Sequence, residues 1–427
     1  MCRARPATSR SRSTRILSPS TRPSGTTSDL RRPEGLRYGS TSLVTTGLER
    51  LAGSQGLEGL RVGLVCNPAS VGAGFRHASE LVTRSGARLA SLFGPQHGFQ
   101  STVQDDMIET PHGQDEARRV PVYSLYSETR EPTAAMLEGL DALVIDLPDV
   151  GTRIYTYVYT MANCLRAARR HGLRVVVCDR PNPIGGTAVE GEPLVPGFES
   201  FVGQFPIPMR HGLTIGELAR LFNERFGVGA ELNVVRMEGW TRETYFDQTG
   251  LPWVMTSPNI PTIDTAIVYP GTVLFEGTNI SEGRGTTRPF ELLGAPWIQA
   301  ERLASAMNAR RLPGVFFRPT MFQPTFHKHA RQPCGGVQVH VIDRTRFRPV
   351  LTGVALLAEF CKHSDGRFTW REAPYEYVFD KPTIDVLWGS DHLRRAIDAG
   401  MTVEDFAATW QTGEREFEKT RRGYLLY

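Results

Sequence analysis

Residues 142–178 read A-L-V-I-D-L-P-D-V-G-T-R-I-Y-T-Y-V-Y-T-M-A-N-C-L-R-A-A-R-R-H-G-L-R-V-V-V-C. Two apolar runs, Ala142 to Leu147 and Arg174 to Cys178, flank a segment in which Val158, Met161, Ala162, Leu165 and Ala168 recur at helical spacing. Gly172 stands where a helix would end on a left-handed residue. Strand, helix and strand in this order predict a right-handed crossover between parallel neighbours. Upstream, Val62 to Cys66 and Leu89 to Phe93 read as further strands. Downstream, Thr214 is placed to cap a helix running to Phe226, and Glu231 to Arg236 reads as another strand. The alternation predicts a Rossmann-like α/β domain over residues 41–285 with a parallel sheet.

After residue 285 the pattern changes. Apolar runs at Val315 to Phe317 and Gly336 to Ile342, with helical patterns at Val350 to Cys361, Leu393 to Ala399 and roughly Val403 to Tyr424, predict a smaller α+β domain over 286–427. A chain of 427 residues exceeds what one hydrophobic core usually serves, which fits two domains.

Residues 1–40 hold nine Arg against Asp29 and Glu34, a local charge of +7 that leaves about −3 of the formal +4 to the rest. That segment, rich in Arg, Ser, Thr and Pro, reads as a disordered basic tail and lacks the apolar core of a secretory signal, which points to the cytoplasm. The mildly acidic remainder carries only four Lys and none of the clustered basic and aromatic residues of a nucleic-acid surface. No run of eighteen apolar residues would span a membrane. Six cysteines without a C-x-x-C pair suggest free thiols rather than a zinc or disulfide framework.

Gly72-Ala73-Gly74 resembles the start of a dinucleotide fingerprint, but His77 occupies the place of its third glycine. Walker A, G-x-S-x-G and H-E-x-x-H patterns are absent, and no cofactor or metal is expected. His327-Lys328-His329 reads as a surface feature.

Ligands of parallel sheets collect at the carboxyl ends of strands. Those ends carry Gln96 and His97, then Asp146 and Asp149, then Asn182, with Arg153, Tyr155 and Tyr157 just beyond. His97 can serve as a proton donor or as an ordinary loop histidine. Asn182 and His211 can meet substrate hydroxyls or simply hold loops. The stretch Ser257 to Glu291 adds Asn259, Glu276, Asn279, Glu282 and Arg284 around a run, Ala266 to Phe275, that reads as a strand followed by a glycine-rich turn. Carboxylates, phenols and guanidinium groups together suit a polyhydroxylated, charged substrate.

The strings G-P-Q-H-G-F at 94–99, D-V-G-T-R-I-Y-T-Y at 149–157, D-R-P-N-P-I-G-G at 179–186, V-G-Q-F-P-I-P-M-R-H-G-L-T-I-G-E-L at 202–218, G-L-P-W-V at 250–254 and L-F-E-G-T-N-I-S-E-G-R-G-T-T-R-P-F-E at 274–291 resemble the NamZ (YbbC-like) exo-β-N-acetylmuramidases of bacterial peptidoglycan recycling. The resemblance implies a glycosidase that releases terminal β-linked N-acetylmuramic acid from the non-reducing end of peptidoglycan fragments, without a redox cofactor. Many members of that family carry Glu where this chain has Gln96, and an amide cannot supply a proton. His97, Asp105, Asp106 and Glu282 are the available substitutes. Glu282, His97, Asp149 and Gln96 are therefore expected at the reacting centre. Arg153, Tyr155, Tyr157, Asn182, His211, Asn259, Glu276, Asn279 and Arg284 are expected to bind substrate, with Arg153 or Arg284 clamping the lactyl carboxylate of muramic acid. Two alternatives stay open: a muropeptide-binding protein that has lost catalysis through Gln96, and a metal-dependent amidase or deacetylase using His97, His211 and Asp149 as ligands. The oligomeric state is not legible.

Overall fold

The structure, a computed structural model, describes residues 43–427 apart from Asp106. The expected tail at 1–40 lies outside the described residues. Seven strands, β1 (Arg61–Val65), β2 (Arg88–Gly94), β3 (Gly113–Asp115), β4 (Val120–Ser124), β5 (Ala142–Ile145), β6 (Arg174–Cys178) and β7 (Glu231–Val235), form one sheet in the order β3-β4-β2-β1-β5-β6-β7. All neighbours are parallel except the β3–β4 pair.

The continuous apolar runs are explained by burial on both faces. Val62, Leu64, Ala142, Val144 and Val176 enter one core with Leu48, Leu81 and Val82. Val65, Leu143, Ile145, Val175 and Val177 enter the other with the helix Tyr157–His171. Alternate residues of each strand thus serve opposite layers. A side chain at Gly63 would meet the Phe93 ring at 2.7 Å, so β1 needs glycine there. The predicted helix is capped by Gly172 at φ 67°, and its last turn is basic, matching the helix dipole.

From β1 the chain runs outward to β2 and β4, then returns to β5 on β1's other side. The reversal opens a crevice between the carboxyl ends of β1 and β5, the place where such sheets bind ligands.

A second, antiparallel sheet follows in the order β8-β10-β9, built from β8 (Leu292–Ala295), β9 (Val315–Phe322) and β10 (Cys334–Val341). The run expected as a strand at Ala266 to Phe275 is instead the helix Ile263–Thr272 and a 3-10 turn at Val273–Gly277. Thr262 caps it by accepting from the Thr265 amide. From Thr265 to Thr272 every residue is buried, so no polar stripe marks the helical period, and a short apolar run rich in β-branched residues reads equally as strand or buried helix. Gly271 and Gly353 let this helix cross Pro349–Lys362 closely: a side chain at Gly353 would lie 2.6 Å from the Gly271 Cα.

The helix Val403–Arg421 brings the C-terminus back to the first sheet. Arg421 donates to the carbonyls of Gly186, Gly212 and Thr187, and the Tyr427 hydroxyl bonds Asp179 at 2.8 Å at the end of β6. Burial pushes the Asp179 carboxyl up to about 7. No helix among the described residues is long and apolar enough to cross a membrane.

Candidate active site

A cleft lies beside the carboxyl edge of the first sheet. The loop after β2 supplies Gln96 and His97. The start of the helix Tyr157–His171 supplies Tyr155, Thr156 and Tyr157, and the segment before and within Ile263–Thr272 supplies Ser257, Asn259 and Tyr269. Glu276, Arg284 and Phe290 come from the polar stretch, and Tyr375 and Glu376 from a distant loop.

Two buried glutamates, Glu276 and Glu376, face this cleft. Glu276 accepts from Arg284 Nη2 and from the Tyr375 hydroxyl, both at 2.6 Å. Glu376 accepts from Gln96 Nε2 at 3.1 Å and from the Tyr126 hydroxyl at 2.9 Å. Adjacent residues of one loop therefore serve both groups: Tyr375 clamps the first carboxylate and Glu376 is the second.

Gln96 is oriented as well as buried. Thr156 Oγ1 donates to its Oε1 at 2.7 Å, which assigns the amide nitrogen to Glu376. His97 sits at φ 71° in the turn, where its Nδ1 lies 2.7 Å from the Val103 carbonyl. A carbonyl only accepts, so Nδ1 carries the proton and Nε2 of the neutral ring is the basic nitrogen. Burial raises the Tyr155 phenol well above its ordinary range and pushes Tyr157 up to about 12, so both remain hydroxyl donors.

Behind Glu276 runs an ionic chain. Glu282 Oε1 faces Arg284 Nε at 3.4 Å and His327 Nδ1 at 3.3 Å, and its Oε2 accepts from Lys328 Nζ at 2.8 Å. Burial by itself would raise this carboxyl, but Lys328, His327 and Arg284 outweigh it and hold Glu282 well below the usual carboxylate range. Lys328 also donates to the carbonyls of Phe275 and Ile280. His327 and Lys328, expected as surface residues, thus belong to a buried scaffold.

Of the residues expected from sequence, Gln96, His97, Tyr155, Tyr157, Asn259, Glu276 and Arg284 line the cleft. Asn259 exchanges two hydrogen bonds with Gln104, which fixes its amide at the wall. The others stand elsewhere. Glu282 is fully buried among its cations and does not reach the wall. Arg153, expected to clamp a carboxylate, is spent on backbone carbonyls: its terminal nitrogens bond Glu192, Ile207, Leu387 and Trp388, tying two distant segments together. Asn182 donates to the Leu213 carbonyl and accepts from the Ile184 amide, an internal turn. Asn279 pairs with the backbone of Arg367 and Thr369. Asp146, which could have capped a helix, is bound in a two-pronged pair by Arg180. Asp149 and His211 face each other at 3.3 Å, away from the cleft. His97 is not with them, and no three His, Cys, Asp or Glu among the described residues are grouped to hold a metal.

Sequence reasoning missed Glu376, Tyr375 and Tyr126. The available signal was Y-E-Y at 375–377, a glutamate between phenols in a stretch without helix or strand period.

Fold and site together define an α/β protein with a carboxylate-lined cleft at the edge of a parallel sheet. The chain belongs to the NamZ family: the description "Exo-beta-N-acetylmuramidase NamZ, N-terminal" matches residues 62–264, and its C-terminal counterpart matches 267–427. The peptidoglycan β-N-acetylmuramidase NamZ of Bacillus subtilis (strain 168) is 44% identical over 388 residues, covering 90% of this chain and 91% of that one. Crystal structures of two DUF1343 family proteins from Bacteroides fragilis NCTC 9343 superpose with TM-scores of 0.82 and 0.71. They are 33% and 26% identical, over 91% and 90% of this chain and 100% and 99% of theirs.

Proposed function

We propose that this protein is an exo-β-N-acetylmuramidase that releases terminal β-linked N-acetylmuramic acid from the non-reducing end of peptidoglycan fragments. The observation that carries this reading is the pair of buried glutamates, Glu276 and Glu376, on one cleft in a chain of this family. Glycoside cleavage needs a proton donor at the leaving oxygen and a second carboxylate that attacks, activates water or orients an acetamide.

The surroundings divide the roles. Glu276 is ion-paired with Arg284, so taking up a proton would break that pair. Glu376 lines the same cleft and accepts from the neutral groups of Gln96 and Tyr126, which leaves it as the second carboxyl beside a partner already committed to an ion pair. Glu376 is therefore the acid and base of the reaction, and Glu276 the ionised carboxylate. Gln96 supplies no proton; its amide holds the carboxylate that does. Arg284 is the guanidinium of the cleft wall and takes the lactyl carboxylate, while Tyr155, Tyr269 and Phe290 offer faces to the sugar ring.

Incubation of the protein with an N-acetylmuramyl-N-acetylglucosamine disaccharide, followed by mass spectrometry, tests the reading. Free N-acetylmuramic acid is expected. Unchanged disaccharide with measurable binding would favour the binding protein, and release of acetate the deacetylase.

A further inference from the structure

Tyr375 to Val378 form a closed hairpin turn: the Tyr375 amide donates to the Val378 carbonyl at 3.0 Å, and the Val378 amide returns a bond to the Tyr375 carbonyl at 2.9 Å. The two residues between them, Glu376 and Tyr377, stand at φ 44° and 66°. A tight turn with two left-handed residues ordinarily takes Asn and Gly, because a side chain makes that region costly. The turn is therefore strained, and such a conformation persists only where its surroundings hold it. Glu376 is a cleft carboxyl, so whatever holds the turn decides where that carboxyl stands.

Much of the hold falls on Tyr377. The Arg130 guanidinium carbon lies 4.1 Å from the centroid of the Tyr377 ring and 4.2 Å from that of Tyr126. Arg130 is itself anchored: Nη1 donates to the Ser127 carbonyl, Nη2 to Glu109 Oε1 at 3.2 Å, and its own carbonyl accepts from Asn163 Nδ2 of the helix Tyr157–His171 at 2.9 Å. Glu109 Oε1 also accepts from the Tyr377 hydroxyl at 2.7 Å.

Exposure ranks these contacts. Glu109 is half exposed, so its ion pair with Arg130 is screened and contributes little. The Arg130 side chain is 17% exposed, and a cation withdrawn from water over a phenol face is attracted more strongly than one at the surface. A flat guanidinium can meet two rings and two acceptors at once, which a lysine ammonium cannot. The contacts close into a circuit. Tyr126 gives its ring to Arg130 and its hydroxyl to Glu376 at 2.9 Å, while Tyr377, next to Glu376 in the chain, gives its ring to the same cation. On the other side of Glu376, Tyr375 donates to Glu276, so one turn sets both carboxyls.

We propose that Arg130 is a positioning residue of the active site, which sets Glu376 on the cleft by holding the Tyr126 and Tyr377 rings to one guanidinium. Arg130 stands off the cleft wall and acts through the turn. Its effect on turnover rests on the reading of Glu376 as acid and base; the hold on the turn does not.

Arg130→Met keeps a long apolar stem and removes the planar cation. On a muramide it should lower kcat about tenfold or more with KM within about twofold of wild type, since the substrate-binding wall is untouched. Combined with Glu376→Gln it should turn over no more slowly than Glu376→Gln by itself, because a residue acting through Glu376 has nothing left to position. A merely structural role would instead multiply the two losses and overturn the proposal. Tyr377→Gly gives a second reading should Arg130→Met fold poorly: glycine suits φ 66°, yet loss of the ring should lower kcat by a similar factor, and a kcat kept or raised would overturn the proposal. Hydrogen–deuterium exchange of the peptide over residues 373–380 reads the hold without any activity, and Arg130→Met should exchange about tenfold faster there than wild type. Unchanged exchange would overturn the proposal whether or not the protein cleaves muramides. Faster exchange in a protein whose wild type cleaves none would refute the proposed function and leave the hold on the turn standing.

Discussion

Glu282 and Glu376 are both buried glutamates, one behind the cleft and one on its wall, and their surroundings assign them opposite work. Glu282 sits in the stretch whose glycines and charges look most like a reacting centre, and it is locked among Lys328, His327 and Arg284. Glu376 sits in an undistinguished loop, lines the cleft and accepts from an amide and a phenol. A carboxylate surrounded by buried cations is a structural anchor, because any protonation strands charge in a dry interior. A carboxyl that lines the cleft can exchange a proton with what the cleft holds. The comparison teaches that local density of polar residues marks where a site is built, while the character of the partners decides which residue reacts.

The largest expected effect separates the two directly. Glu376→Gln keeps the shape and removes the proton, so turnover on a muramide should fall about a thousandfold with a melting temperature near that of wild type. Near-normal turnover would break the assignment.

Glu282→Gln should do the reverse. It leaves Lys328 and Arg284 without their shared anion, which costs about 3 kcal/mol or more of stability, read as a lowered urea midpoint, while turnover of the folded fraction stays within a few-fold. The paired carboxyl titrates below its ordinary value, so its contribution is present above about pH 4.5 and is lost as pH falls further. Wild type should therefore lose stability on acidification through this window, and Glu282→Gln should lose less. Equal acid sensitivity of both would contradict the anchor.

A smaller effect is expected at Arg153, where the sequence suggested a clamp for the lactyl group. Arg153→Lys cannot span four carbonyls and should cost about 2 kcal/mol of stability, with KM for a muramide unchanged in the folded protein. The matching change Arg284→Lys should raise KM. A raised KM for Arg153→Lys would return that residue to the substrate.

The parallel sheet was legible because β1, β5 and β6 are buried on both faces and read as unbroken apolar runs, with Gly172 and Thr214 marking helix ends. The strand ends led to Gln96, His97, Tyr155 and Tyr157, which line the cleft. The helix Ile263–Thr272 was not legible, since burial all round erased the period that separates it from a strand. Arg153, Asn182 and His211 look like substrate ligands in sequence because buried hydrogen-bonding scaffolds use the same residue types as sites. Glu376 was hidden for another reason: it reaches the cleft on a loop where it and Tyr377 adopt φ of 44° and 66°, conformations that no glycine announces. A group placed by tertiary closure leaves no spacing to read.

The central claim is that Gln96 and Glu376 act as one unit, with the amide holding the carboxylate that transfers the proton. Gln96→Glu would set a second carboxyl about 3 Å from the first, and two like charges at that distance share a proton and titrate as a pair, one step raised. The most direct measurement is the pH–rate profile of wild type and Gln96→Glu on one chromogenic muramide. The account predicts an alkaline limb displaced upward by about one pH unit or more, with the melting temperature retained. Superimposable profiles would contradict it and place Glu376 outside the reacting centre.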